Sequence, residues 1–155
     1  MEYLKDLVSN YVLASAFFSW LCAQVIKVAI ALFEKPRKNL FKILFSTGGM
    51  PSSHSSSVVA LAISCGIYAG LDSPAFAIAF ILAGVVMIDA SGVRYETGKQ
   101  AIIIKRITQK LFSDDAEQIN SGLKELVGHT PFQVLMGALL GVVTAFVTAF
   151  AMGVL

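Results

Sequence analysis

Charge is what this chain has least of. Only 14% of its 155 residues are Asp, Glu, Lys or Arg, whereas 56% are hydrophobic. A soluble domain carries about 25% charged residues. The shortage, together with a mean hydropathy of +0.74, excludes an ordinary soluble domain and predicts a single integral membrane domain, residues 1–155.

Cysteine, acidic clusters and excess charge are scarce as well. Cys22 and Cys65 lie in apolar stretches without CxxC or metal-ligand spacing, so we interpret both as small core residues. No Asp/Glu cluster suggests a metal, and we expect neither a metal nor another cofactor. The net charge of +2 is too small to indicate nucleic acid as a partner. The opening MEYLKDLVSN lacks a basic n-region, so we expect no signal peptide.

Four apolar stretches approach the length of about 20 residues that a spanning helix needs. The first is interrupted by Gln24 and Lys27, and only Leu71-Asp72-Ser73 separates the second from the third. So short a turn predicts an antiparallel helical hairpin. We predict an all-α polytopic bundle with about four transmembrane helices, at residues 12–33, 54–71, 74–90 and 132–155.

The basic residues predict the orientation. Eleven of the 12 Lys and Arg, all except Lys5, fall on one side of this arrangement, and the hairpin turn has none. The positive-inside rule makes that side cytoplasmic and puts both termini outside. We expect a bacterial plasma membrane protein.

The connection before the last span predicts one or two helices, at about residues 99–127. Within AIIIKRITQKLF (101–112), Ile103, Ile104, Ile107 and Leu111 share one face. Connecting helices packed on the bundle are the favoured interpretation, and a helix in the membrane interface is the alternative. Pairs of glycines at 66/70 and 137/141 permit close helix contact and would also permit a homodimer.

Polar residues converge at the cytoplasmic end of the predicted bundle. His54 begins the second span and Asp89 ends the third, each about 22–26 Å from the shared turn. His129 precedes the last span on the same side. The predicted cluster comprises His54, His129, Asp89, Lys27, Arg94 and Lys99.

Most members also have a simple structural explanation. Lys27 would snorkel its amine to the interface, and Asp89 would cap the segment that follows it. Arg94 and Lys99 would be ordinary cytoplasmic basic residues. Helix capping accounts for the serines of GGMPSSHSSS (48–57). It does not account for two histidines that each stand at a helix start.

These residue types together suit a phosphate ester. A helix N-terminus favours an anion, glycines at 48 and 49 allow close approach, and Ser52 and Ser53 add donors. One neutral histidine would attack phosphorus and the other would protonate the leaving oxygen. Cations would hold the non-bridging oxygens.

Three segments, GGMPSSHSSSV, DASGVRYETGKQA and LKELVGHTPFQVLMGALLG, resemble the divergent branch of the PAP2 (type 2 phosphatidic acid phosphatase) superfamily. That branch is related to acid phosphatases and vanadium-dependent haloperoxidases. The resemblance covers nearly the whole chain. It implies metal-independent catalysis, with His129 as the nucleophile that forms a phosphohistidine and His54 as the general acid. Arg94 would hold phosphate, and Lys27, with Arg37 less surely, would represent the first motif.

The chain departs from the superfamily pattern in three ways. More than thirty residues separate Arg94 from His129, and Arg37 follows a proline instead of preceding one. Gln133 stands where an orienting carboxylate is expected, so either Gln133 or Asp89 would orient the imidazole.

The favoured hypothesis is an integral membrane phosphatase acting on a lipid phosphate monoester or diphosphate, such as phosphatidylglycerophosphate or phosphatidate. An outward-facing site would instead suit polyprenyl diphosphate. One alternative is a non-enzymatic membrane protein that binds anionic headgroups or passes small anions. Another is a structural bundle subunit with incidental histidines.

Overall fold

The computed structural model describes residues 2–33, 49–111 and 128–155, apart from the side chains of residues 2, 94, 109 and 110. All the regular structure in these ranges is helical, which confirms the predicted all-α class. The helices are α1 (Glu2–Val8), α2 (Tyr11–Phe33), α3 (Ser53–Ala69), α4 (Pro74–Ser91), α5 (Val93–Leu111) and α6 (Pro131–Ala151).

Hydroxyl side chains cap three helices at their first turn. Ser52 accepts from the Ser55 N–H at 3.3 Å, and Ser73 accepts from the Phe76 N–H at 3.1 Å. Thr130 and Gln133 form a reciprocal capping box at the start of α6. Pro74 and Pro131 then occupy first-turn positions, where a missing N–H costs nothing.

A glycine turns the chain between α3 and α4. Gly70 has a φ of +93°, and its N–H donates to the Gly66 carbonyl at 3.2 Å. The Ser73 hydroxyl donates back to the Gly70 carbonyl at 2.7 Å. The two helices therefore pack against each other in antiparallel directions, as the short turn predicts.

The helix after α4 begins earlier than expected. We predicted a connecting helix from about residue 99, whereas α5 begins at Val93, directly after Gly92. The Glu96 N–H donates to the Gly92 carbonyl at 3.0 Å, so helical hydrogen bonding resumes at once. Glu96 also places a negative charge in the first turn, where it favours helix formation. The rest of the predicted connection, 112–127, lies outside the described residues.

Three helical stretches of the described chain are long and apolar enough to cross a membrane. They are Tyr11–Phe33, Pro74–Thr108 (which runs through α4 into α5) and Pro131–Ala151. Helix α3 has 17 residues, the lower limit for a spanning helix. The fourth span therefore stays a prediction.

Small side chains make the interior of the bundle, and large apolar side chains cover its outside. Helix α3 is central and packs against α2, α4 and α6. The buried positions of α2 recur every fourth residue, whereas Phe80 and Ile78 on α4 are 61% and 70% exposed. Small residues at helix contacts and large ones outside are typical of bundles that pack in lipid. The recurring α2 positions are Tyr11, Ser15, Ser19, Ala23, Lys27 and Ala31.

Two glycines bring α6 against α3. A Cβ at Gly141 would lie 2.6 Å from the Ser56 carbonyl oxygen, and one at Gly137 would overlap the Ser52 carbonyl. Residue numbers rise together along both helices at these contacts, so α3 and α6 run parallel. At the far end the Tyr11 hydroxyl donates to the Ala145 carbonyl at 3.1 Å, which ties antiparallel α2 to α6.

Candidate functional site

The parallel register of α3 and α6 brings two helix N-termini together. The Ser52 N–H donates to the Gln133 carbonyl at 3.1 Å, joining the first turns of the two helices. The positive ends of both helix dipoles therefore lie side by side, and this is the arrangement that favours an anion. Helix α2 ends nearby, and α4 arrives from the opposite direction.

Lys27 is part of the interior at this end. Its side chain is 4% exposed, and its Nζ donates to the Ser53 hydroxyl at 3.1 Å. The side chain thus points into the bundle instead of snorkelling along its outer surface. A buried amine on α2 faces the first residue of α3.

His129 is held between the start of α6 and the end of α4. It is 2% exposed, and its backbone N–H donates to the Ala90 carbonyl at 3.1 Å. Its ring lies 6.1 Å from the His54 ring, centroid to centroid, in an edge-on arrangement. His54 itself is exposed at the first turn of α3. The two histidines therefore meet, as the topology predicts.

Gln133 sets the tautomer of His129. The Gln133 Oε1 accepts from the Thr130 N–H at 3.1 Å, so this atom is the oxygen and not the amide nitrogen. The same Oε1 lies 3.3 Å from Nδ1 of His129. An oxygen can only accept, so Nδ1 carries the proton and Nε2 carries the lone pair of the neutral ring. Of the two predicted orienting groups, Gln133 makes this contact.

The second ring nitrogen of His129 is buried without a partner. Nε2 has no hydrogen bond within the described residues. Burial lowers the pKa of His129 below its usual 6.5, and the positive charges of Lys27 and His54 lower it further. The hydrogen bond to Gln133 opposes this lowering, and the Gly49 backbone opposes it to a smaller extent. The ring is therefore neutral at pH 7, with an unshared lone pair.

The serines of the motif divide into two roles. The Ser52 hydroxyl is fully buried and accepts from both the N–H and the hydroxyl of Ser55, so it serves the helix cap. The Ser53 hydroxyl accepts from Lys27 instead. Of the two predicted phosphate-binding serines, only Ser53 contacts a cation.

The remaining predicted residues that the structure describes lie on α4 and α5. Asp89 is half-buried and directly precedes Ala90, whose carbonyl binds His129. Lys99 pairs with Glu96 of its own helix at 2.8 Å and lies over the Tyr95 ring. Arg94 lies in the first turn of α5, and its side chain is outside the described part, as is Arg37. No group of three metal-ligating side chains occurs within the described ranges.

Gln24 is a buried polar residue that the predicted site does not include. Gln24 is 5% exposed, and its Oε1 lacks a hydrogen-bond partner in the described chain. It lies one helical turn before Lys27, on the same side of α2. The sequence signal for this residue is an amide within an apolar span, because polar side chains are rare there and mark candidate functional sites.

The family assignment rests on comparison with known proteins. The model of the divergent PAP2 family matches residues 8–144, which include every residue of the cluster. The chain belongs to the divergent PAP2 family. An uncharacterized membrane protein of Bacillus subtilis (strain 168), YuiD, is 40% identical over 155 residues, covering 94% of this chain and 98% of its own length. No solved structure matches.

Membership of the divergent PAP2 family agrees with the architecture. The apolar helices and the membrane-protein relative make this an integral membrane protein. The family description points to phosphatases by relation, so the chemistry has to be argued from the cluster itself.

Proposed function

We propose that this protein is an integral membrane phosphatase that hydrolyses a lipid phosphate monoester or diphosphate through a phosphohistidine intermediate. The observation that carries the proposal is the buried ring of His129, whose Nδ1 contacts Gln133 and whose Nε2 has no hydrogen-bond partner among the described residues. A neutral imidazole oriented by a third group is the arrangement expected of a histidine nucleophile.

The proposed reaction has two steps. In the first, Nε2 of His129 bonds to phosphorus while the ester P–O bond breaks, and His54 gives a proton to the leaving oxygen. In the second, His54 accepts a proton from water, whose oxygen attacks the phosphohistidine. The P–N bond breaks, inorganic phosphate leaves, and both histidines regain their starting states.

Three features would stabilise the charge on the transferring phosphoryl group. The Lys27 amine lies within the bundle at the Ser53 hydroxyl. The first turns of α3 and α6 add two positive dipole ends. Preorganised donors of this kind act strongly where water is excluded. We propose Arg94 as a further phosphate ligand, from its place in the first turn of α5.

The charge distribution supports a site facing the cytoplasm. Eleven of the 12 Lys and Arg lie on that side of a single four-span domain, which we propose as the topology. A lipid phosphate made in the cytoplasmic leaflet, such as phosphatidylglycerophosphate or phosphatidate, is the substrate class that suits this side. Its headgroup would reach the cluster without leaving the leaflet.

A second function is favoured by one specific observation. Gln133 is neutral, and its Oε1 is shared between His129 and the cap of α6. A carboxylate would stabilise an imidazolium formed during catalysis, whereas an amide fixes only the tautomer. The same cluster would then bind an anionic lipid headgroup or a small anion without cleaving it.

The test is phosphate release by purified protein in detergent, from phosphatidylglycerophosphate, phosphatidate and undecaprenyl diphosphate, with EDTA present. We expect release by the wild type and a fall of more than about 10³-fold in His129→Ala and in His129→Asn. The Asn side chain retains a donor for Gln133, so it separates loss of the nucleophile from loss of the contact.

A second arm of the same experiment tests His54. His54→Ala should lose far more activity on an alkyl lipid phosphate than on an aryl phosphate, because a phenolate leaves without a proton. The outcome that contradicts the phosphatase is binding of the lipid phosphates without release of inorganic phosphate, by protein whose thermal unfolding is normal. That outcome would support the anion-binding function instead.

A further inference from the structure

An apolar groove runs along the outside of the bundle next to the polar cluster. It has a volume of about 570 Å³, with α3 as its floor and α4 and α6 as its walls. Its lining includes no charged side chain. Residues that represent its floor and walls are Val59, Ile63, Ile67, Phe80, Met87 and Phe146. We refer to it as the lateral groove.

The lateral groove begins beside the candidate active site. Met87 lies three residues before Ala90, whose carbonyl binds His129. On α3, Val59 lies five residues beyond His54. The groove therefore starts within about two helical turns of both histidines.

From there the groove runs toward the α3–α4 turn. Along α4 it extends from Met87 back to Phe76, eleven residues or about 16 Å. One leaflet is half of a hydrocarbon core about 30 Å thick, or about 15 Å. The groove is thus as long as one leaflet is deep.

A glycine keeps the wall of the groove open. Gly84 lines the groove, and a Cβ there would meet no atom within 4 Å, so the position has room for an added side chain. Gly66 differs, because a Cβ there would lie 2.9 Å from Leu71 and 3.2 Å from Phe76. Gly84 is consequently a position where the groove can be filled while the fold is kept.

We propose that the lateral groove binds one hydrocarbon chain of the lipid phosphate whose headgroup occupies the His129 cluster. This inference rests on the proposed function and specifies its substrate as a long-chain lipid. A polar cluster that continues into an apolar channel of leaflet length matches a molecule with a phosphate at one end and a hydrocarbon chain at the other.

The dimensions favour a chain over a protein partner. The groove volume lies within the range of about 300–1,000 Å³ that is typical of small-molecule sites. A helix from a second copy is about 10–12 Å across with its side chains. The volume of the lateral groove therefore suits a hydrocarbon chain better than a whole helix.

The experiment compares Gly84→Leu with Ala77→Leu in full-length protein. Ala77 is exposed on α4 about two turns before Gly84, beside Ile78, Ile81, Leu82 and Val85. It does not line the lateral groove, so its variant adds the same bulk outside the groove lining. Substrates are dipalmitoyl phosphatidate, dihexanoyl phosphatidate and a soluble aryl phosphate. For Gly84→Leu we expect kcat/KM to fall about tenfold or more on the dipalmitoyl lipid alone. Gly84→Ala should give a smaller fall, and Ala77→Leu none.

A binding measurement separates this proposal from the proposed function. Native mass spectrometry in detergent would compare dipalmitoyl phosphatidate with dipalmitoylglycerol, which has the same chains and no phosphate. If the wild type cleaves no substrate, but Gly84→Leu selectively loses binding of the phosphatidate, the groove proposal is supported and the phosphatase proposal is contradicted. The groove proposal is overturned if Gly84→Leu affects all three substrates equally or none. It is also overturned if both leucine variants behave alike, or if the diacylglycerol binds as well as the phosphatidate.

Discussion

The contact between α2 and α3 contains two polar regions with opposite character. In the middle, the Ser19 hydroxyl donates to the Ser56 carbonyl and to its hydroxyl, both at 3.0 Å, and the Ser56 hydroxyl donates to the Ser19 carbonyl at 2.9 Å. At the end where α3 and α6 begin, the Lys27 amine donates to the Ser53 hydroxyl, and Nε2 of the adjacent His129 has no hydrogen bond within the described residues.

The difference separates packing from function. Both regions are buried, and both join the same two helices through small polar groups. The serine pair satisfies itself, as expected of groups that only hold helices together in lipid. The Lys27 region instead leaves Nε2 of His129 without a hydrogen bond among the described residues, a cost that the Ser19–Ser56 pair does not carry.

The largest expected effect comes from removing the charge in the Lys27 region. Lys27→Met keeps the length and apolar stem of the side chain but removes the amine. We expect kcat on a lipid phosphate to fall about 10²–10³-fold, as when one donor to a developing anion is removed. The matched control is Ser15→Ala, at another position of the same buried α2 stripe, and it should retain wild-type rates. Equal rates for Lys27→Met and the wild type would show that Lys27, like Ser19 and Ser56, serves helix packing and not catalysis.

The pH dependence tests the state of His129. Burial lowers the pKa of this group, and the ring must be neutral to attack, so on the acid side of the pH profile activity should be lost only as pH falls below 6.5. Gln133→Glu places a negative charge at Nδ1, which favours the imidazolium and should raise the inflection. The measurement is kcat/KM against pH for both proteins. An inflection that is the same in the two proteins would show that another group limits the rate.

The smallest effect on activity is expected from the Ser19–Ser56 contact, whose hydroxyls hydrogen-bond each other. Ser19→Ala and Ser56→Ala should leave catalytic rates unchanged and each reduce the free energy of unfolding by about 0.6 kcal/mol, a typical value for hydrogen bonds between helices in membranes. A double-mutant cycle measured by unfolding in mixed micelles gives the coupling of the pair. If either variant lost turnover while its stability stayed intact, Ser19 and Ser56 would belong to the functional site.

The meeting of the two histidines was predictable from topology. A hairpin with a three-residue turn returns the chain to its starting depth, so His54 and the end of α4 had to lie at one end. The N-terminus of α6 brings His129 there as well. These arguments use only helix rise and turn length, which the sequence determines locally.

The hydrogen-bond and ion-pair partners of individual side chains were not predictable in the same way. Lys99 was expected in the cluster, yet it pairs with Glu96 three residues earlier on an exposed helix face. Either Asp89 or Gln133 was predicted to orient the imidazole, and the structure places the Gln133 oxygen 3.3 Å from Nδ1 of His129. Helical periodicity gives the face of a residue but not the rotamer that selects its partner.

The glycines of α6 set the register of this helix against α3 and thereby the position of His129. Because Gly137 and Gly141 fit against Ser52 and Ser56, sliding α6 by one turn would move His129 about 5.4 Å from its place beside Lys27. The position of His129 thus comes from a helix contact, independent of how many residues precede it. A motif whose arginine and histidine are far apart in sequence can therefore still assemble one site, and the segment between them is free to change in length.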